Sequence, residues 1–328
     1  MNGHPAVTVR PPYDPEILAL EDTQHRAVPT STEELFGLRK EELQFDASIV
    51  DDPSVQIQTR AVPGPRGEIE VKLFSATGSN GRRNRPGIIY IHGGGRVMGN
   101  PYVGLVSVID ALKDVDAMII SPAYGRAPEF SGDASAEDCY ATLKWVGSHL
   151  EELGIDPERL LLAGASAGGG LAAATALMAR DRGDGPKLCA QLLVCPMLDD
   201  RCNSLSSRQF DSGPRGYYTQ WGRYAWRCVL GDAAGKEDGV SYYAAAARAE
   251  DLSGLPPAYI DAGSAEPFRD EAVAYAQKLW ECGVQADLHI WSGGSHGFEL
   301  FEAPTWIGGE AKRTRRAWLQ RKLTNRSA

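Results

Sequence analysis

The sequence predicts an α/β fold: a mostly parallel central sheet with helices on both faces. Three observations carry that expectation. Short apolar runs bounded by turn residues alternate with longer helix-forming stretches, the pattern of parallel strands joined by helical crossovers. One run, residues 160–163, meets an alanine-rich helical stretch at Gly164-Ala165-Ser166-Ala167-Gly168. Another, residues 88–91, ends in His92-Gly93-Gly94-Gly95.

The elements follow in order. Residues 1–50 stand outside the alternation, with a helix start at Pro11-Pro12-Tyr13-Asp14-Pro15-Glu16 followed by amphipathic stretches. Residues 51–202 form the first part of the α/β core. In it, strands at 55–61 and 69–75, split by Pro63-Gly64-Pro65, make an antiparallel hairpin at one edge. Further strands are expected at 88–91, 118–121, 160–163 and 191–195, with helices at 136–150 and 167–182. Residues 203–247 leave the alternation. They are rich in Tyr, Trp and small residues. Residues 248–328 complete the core with strands at 258–262 and 286–291 and a helix at 271–282. The basic stretch 312–322, with Trp318 and Leu319 on one side, reads as a helix docked on the sheet rather than a membrane anchor.

The chemistry begins at Ser166. Glycines flank it at 164 and 168 between a strand and a helix, as a tight turn that lifts a nucleophile above a sheet requires. A glycine-rich chain (36 Gly in 328 residues) produces such five-residue matches by chance, so the flanking elements carry the weight. The helix beginning there offers backbone N–H groups to a developing oxyanion. Ala167 is one candidate donor, and Gly93 and Gly94, in the glycine loop after a strand, are two more. A serine hydroxyl needs a general base. Of six histidines, His296 fits best, in the loop Gly293-Gly294-Ser295-His296-Gly297-Phe298 after a strand. His289 falls inside that strand, His149 in a surface helix, and His4 and His25 in the leader. The imidazole needs an acid to orient it, in the chain order serine, acid, histidine. Glu266 is the first candidate, at the end of a strand-like run and the opening of a helix, with Asp270 and Asp261 as competitors.

These residues resemble the hormone-sensitive-lipase family of α/β-hydrolases, carboxylesterases with a His-Gly-Gly-Gly motif. The matching stretches span nearly the whole chain: residues 92–95, Tyr124-Gly125-Arg126-Ala127-Pro128-Glu129, residues 164–169, Pro196-Met197-Leu198-Asp199-Asp200-Arg201, residues 252–257, Glu266-Pro267-Phe268-Arg269-Asp270-Glu271 and His296-Gly297-Phe298. The resemblance implies the α/β-hydrolase fold with a helical cap formed by the two segments that break the alternation. Arg96 and the cap aromatics Phe210, Tyr217, Tyr218, Trp221 and Trp226 are then candidate substrate contacts, each aromatic having cap core as its alternative. There are departures. Ala165 stands where the family carries Asp, Glu or Thr, and Arg126 is displaced by one place within its motif. The acid is Glu rather than the commoner Asp. Arg96 replaces an aromatic or aliphatic residue, and it either favours an anionic or polar substrate or points into solvent.

The expected activity is serine carboxylic-ester hydrolysis through an acyl-enzyme. A lactonase or acyl transferase acting on a metabolite ester is the alternative within the class, and a non-catalytic small-molecule receptor the alternative outside it. A net charge of −9 argues against nucleic acid or an anionic membrane surface as partner. No stretch reaches bilayer-spanning length and no signal peptide is visible, so a cytoplasmic protein is expected. Six scattered cysteines without a C-x-x-C read as reduced, mostly buried thiols. No metal site and no cofactor are expected. The family resemblance makes a homodimer paired through the sheet edge a possible assembly.

Overall fold

The computed structural model describes residues 9–20, 27–42, 52–79, 81–213, 217–301 and 304–324. His4, His25 and part of the N-terminal segment lie outside them. The strands are β1 (Val55–Gly64), β2 (Gly67–Ala76), β3 (Arg85–Ile91), β4 (Met118–Pro122), β5 (Ile155–Ala165), β6 (Ala190–Val194), β7 (Ala258–Gly263) and β8 (Ala286–Trp291). They form one eight-stranded sheet in the order β1-β2-β4-β3-β5-β6-β7-β8. The strands from β3 to β8 run parallel to one another, and β2 is antiparallel to both β1 and β4.

Every residue of β3, β6 and β7 is buried, which is why these strands read as mainly apolar runs instead of alternating ones, with Arg85, Gln191 and Asp261 as their buried polar exceptions. Alternation persists in which face each side chain joins. Ile89 and Ile91 pack with Leu162, Leu193 and Ile260 under the helices Ala134–Ser148, Ala167–Arg182 and Arg269–Glu281. Ile88 and Tyr90 pack with Leu161, Leu192 and Tyr259 on the other face, beneath Trp318, Leu319 and Leu323 of the helix Trp306–Leu323. The C-terminal basic stretch is therefore docked on the sheet, its Trp318 indole donating to Asp287 at 2.7 Å.

Among the boundaries that differ from expectation, two have a clear physical reason. β1 continues through Pro63 and Gly64, which pairs with Gly67, so the hairpin turns at Pro65-Arg66. An edge strand tolerates Pro63 because its missing N–H need not face a neighbour. β5 begins at Ile155, five residues before the apolar run, where polar residues give no hydrophobic signal.

The segments outside the alternation pack together. Arg10 donates to the Ser212 carbonyl at 3.0 Å, Gln209 donates to the Val9 carbonyl at 2.6 Å, and Tyr13 meets Phe210 edge-on. Leu35, from the helix Thr32–Glu42, joins Ala225, Trp226 and Phe268 in one buried cluster with Val97. Among the described residues all six cysteines are free, no group of side chains could hold a metal ion, and no helix is long and apolar enough to cross a membrane.

Candidate active site

Ser166 sits where β5 turns into the helix Ala167–Arg182, with φ 56° and ψ −122°, a left-handed conformation that costs a non-glycine residue free energy. The surrounding backbone holds it there. Its N–H donates to the Val194 carbonyl at 2.8 Å, and its carbonyl accepts from Met197 at 2.9 Å and Gly170 at 3.1 Å. The flanking glycines are steric requirements. A Cβ at Gly164 would lie 2.2 Å from the Gly168 carbonyl oxygen, and one at Gly168 would lie 2.0 Å from that of Ile91.

Three of the sequence-predicted side chains meet. His296 Nδ1 donates to Glu266 Oε2 at 2.5 Å, which leaves Nε2 as the acceptor for the Ser166 hydroxyl at 2.9 Å. Glu266 Oε1 accepts the Gly263 N–H at 3.0 Å, so both carboxylate oxygens are engaged. All three side chains are buried. The competitors are committed elsewhere. Asp270 accepts from the Ser206 N–H at 2.7 Å, and Asp261 pairs with Arg315 at 2.8 Å.

The glycine loop after β3 lies against the serine: a Cβ at Gly93 would be 3.5 Å from Ser166 Cβ. Among the described residues the N–H groups of Gly93, Gly94 and Ala167 are assigned no acceptor. The loop is braced from within. The Gly94 carbonyl accepts from Met98 at 2.8 Å and Val97 at 3.0 Å. His92 stacks on Tyr124 with ring centroids 4.2 Å apart, and its Nδ1 lies 2.8 Å from the Gly93 carbonyl. Burial lowers the His92 pKa to about 3, so the ring is neutral and Nδ1–H is the donor. Arg126, displaced in its motif, donates to the Gly99 carbonyl at 2.8 Å and so still holds this loop. Ala165 is buried beside Gly104, whose Cβ position lies 3.5 Å from the Ala165 methyl and against the Tyr90 hydroxyl, so apolar packing replaces the family's polar residue.

The expected substrate contacts separate. Arg96 does not point into solvent: it is 1% exposed, donates from Nη2 to the Ala244 carbonyl at 2.5 Å, and lies 5.1 Å from the Trp226 ring. Burial lowers its pKa to about 10. The cation joins the glycine loop to the segment 203–247 through Ala244. Phe210 packs with Tyr13 and Ala265, and Trp226 beneath Arg96, both in the interior. Tyr218 is buried at the start of the helix Thr219–Leu230, and Trp221 lies 6.2 Å from Tyr217. Only Tyr217, of these aromatics, has its ring beside His296, at 5.2 Å. Sequence reasoning missed Phe268, edge-on to His296 at 5.1 Å and 5.7 Å from Tyr217. The available signal was its place two residues after Glu266. His289 is stacked between Tyr259 and Trp291 on β8.

Beneath the site lies an ionic group with no counterpart among the expectations. Arg315 Nη2 donates to Asp261 on β7 at 2.8 Å and to Glu299, three residues past His296, at 2.6 Å. Burial raises the Glu299 carboxyl above its usual range, with the Arg315 charge opposing that rise.

Relatives of known name share this chain. Esterase LipI of Mycobacterium tuberculosis is 32% identical over 72% of this chain and 73% of its own length. Carboxylesterase NlhH of the same organism is 31% identical over 96% and 97%. The solved structure of a bacterial heroin esterase superposes with a TM-score of 0.83 at 30% identity, covering 95% of this chain and 98% of that one. The family model described as alpha/beta hydrolase fold (Abhydrolase_3) matches residues 88–300, a stretch that holds Ser166, Glu266 and His296. On that match and those identities the chain belongs to the hormone-sensitive-lipase-like family of α/β-hydrolases.

Proposed function

We propose that this protein is a serine carboxylic-ester hydrolase acting through an acyl-enzyme on a small or medium ester. The unbroken buried hydrogen-bond chain Glu266–His296–Ser166 beside a glycine loop is the observation that carries this reading. Ser166 attacks the ester carbonyl while His296 Nε2 takes its proton. Glu266 holds the imidazole in the tautomer that makes Nε2 the base and stabilises the cation that forms. The N–H groups of Gly93, Gly94 and Ala167 receive the negative charge on the carbonyl oxygen. His296 returns the proton to the leaving alcohol. A water, deprotonated by the same nitrogen, then releases the acid. Residues 1–50 and 203–247 serve as the cap that covers this chemistry, and the six unpaired thiols suit a reducing, cytoplasmic setting.

The test is Ser166→Ala on p-nitrophenyl acetate and butyrate. Turnover should fall by on the order of 10⁴-fold or more, with the circular dichroism spectrum unchanged. A variant that keeps wild-type turnover refutes the assignment. Labelling of the wild type by a fluorophosphonate, absent in the variant, separates an enzyme from a binding module.

A further inference from the structure

Tyr217 carries a feature the proposed mechanism does not use. Its hydroxyl oxygen is buried and makes no hydrogen bond with any described residue. Its ring lies 5.2 Å from His296 and 5.7 Å from Phe268. The hydroxyl reaches the other wall of the site, since a Cβ at Gly95 would lie 3.4 Å from it. Tyr217 therefore spans from the imidazole to the glycine loop, above the serine that the Gly93 end of that loop touches. The contact is at Gly95, one residue beyond the proposed oxyanion donors Gly93 and Gly94.

A phenol removed from water and left unpaired is unfavourable, and phenylalanine would fill the same space without that penalty. Burial holds the Tyr217 hydroxyl in its protonated form, so it is a standing donor. The nearest cation of the glycine loop, Arg96, is engaged by the Ala244 carbonyl and the face of Trp226. The rings grouped around Tyr217, Phe268 and Trp221, bring no charge.

Resting on the esterase reading, we propose that Tyr217 is a specificity-determining residue: its hydroxyl donates to an uncharged oxygen or nitrogen acceptor a few atoms beyond the scissile ester. The preferred substrates are then neutral esters with a polar arm rather than plain alkyl esters. The acceptor sits on either the acyl or the alcohol side, and matched substrates distinguish the two.

The experiment compares wild type with Tyr217→Phe, which removes one oxygen and keeps the ring. The acyl pair is p-nitrophenyl methoxyacetate against p-nitrophenyl butyrate. The alcohol pair is 2-methoxyethyl butyrate against butyl butyrate, followed by pH-stat. In the variant the kcat/KM ratio of the methoxy to the alkyl member should fall about tenfold in one pair and stay unchanged in the other. The responding pair locates the acceptor. An equal loss on all four substrates, or no loss on any, overturns the role given to Tyr217. A wild type that hydrolyses none of the four and resists a fluorophosphonate instead overturns the esterase reading itself.

Discussion

Arg315 is buried with two carboxylates, and replacing it with methionine separates what the charge contributes from what the packing contributes. Its side chain is 1% exposed, and those of Asp261 and Glu299 are 2% and 3% exposed. Removing one partner of such a group leaves uncompensated charge in the interior, at a cost of ~3–5 kcal/mol. The wild-type geometry is imperfect, because only Nη2 is bonded while Nε and Nη1 find no partner. Methionine removes those two orphan donors, whose burial carries a penalty, so the lower end of the range applies, about 3 kcal/mol. At about 1.5 °C per kcal/mol for a chain of this size, the midpoint of thermal unfolding should fall by roughly 4–5 °C.

The loss must also depend on pH with a definite sign. The Glu299 carboxyl is already raised by burial, and Arg315 is the charge that opposes the rise. A carboxyl whose folded pKa lies above its unfolded one contributes stability that is present below the unfolded pKa and lost as pH rises through the folded pKa. Without Arg315 the folded pKa climbs further. The deficit of Arg315→Met is thus largest at neutral and alkaline pH and shrinks as pH falls into the carboxylate range, where Glu299 takes up a proton. Urea unfolding followed by tryptophan fluorescence, at about pH 8 and about pH 5, measures both quantities. A loss below about 1 kcal/mol, or one that grows on acidification, refutes the reasoning. Adding Glu299→Gln should return part of the loss at the higher pH.

Three further outcomes follow from the site. Glu266→Gln should lower kcat by about 10⁴-fold with little change in stability, because a neutral amide no longer fixes the imidazole tautomer; steady-state kinetics and a thermal melt check this together. Gly168→Ala should yield inactive or unfolded protein, since the added methyl meets the Ile91 carbonyl oxygen at 2.0 Å and that of His92 at 2.5 Å, and backbone cannot swing aside; wild-type turnover in that variant would contradict the structure. Arg96→Met should cost ~1–3 kcal/mol by leaving the Ala244 carbonyl unpaired, read by chemical denaturation, and a neutral or stabilising result would show that the buried cation adds nothing.

How legible these features were in the sequence depends on the range of the interactions behind them. The parallel sheet was legible because β3, β6 and β7 are buried on both faces and hence mainly apolar. Ser166, the glycine loop and the loop of His296 were legible because close backbone approaches at these turns demand glycine, which shows in the sequence even where the crowding atoms come from distant segments. Glu266 could be ranked but not fixed: only the fold reveals that Asp261 is turned to Arg315 and Asp270 to Ser206. The Arg315 group joins residues 261, 299 and 315 through side chains alone, and no periodicity marks it. The aromatics of 203–247 were the least legible. Cap core and pocket lining require the same residues, and the difference between Phe210 against Tyr13 and Tyr217 against His296 is one of direction.

That difference bears on what the cap segments are for. The loop carrying Gly93 and Gly94 is held by the core through Arg126 and Tyr124, whose hydroxyl donates to the His92 carbonyl at 3.0 Å. It is held equally by the cap. Arg39 of the N-terminal segment donates to the Val97 carbonyl at 2.6 Å and to the Ala127 carbonyl at 2.5 Å, while pairing with Glu129 at 2.6 Å. Arg96 ties the same loop to Ala244 in the second segment. A lid that only covered a pocket would contact its rim and leave this loop to the core. Here both segments bond to the stretch just after the proposed oxyanion donors Gly93 and Gly94, at Arg96 and Val97. An interaction that fixes an oxyanion donor acts on the transition state and so on kcat, whereas one that encloses a bound ester acts on the ground state and so on KM. On the proposed reading the contacts of Arg39 and Arg96 act in the first way, and the two segments then serve as part of the catalytic scaffold as well as its cover.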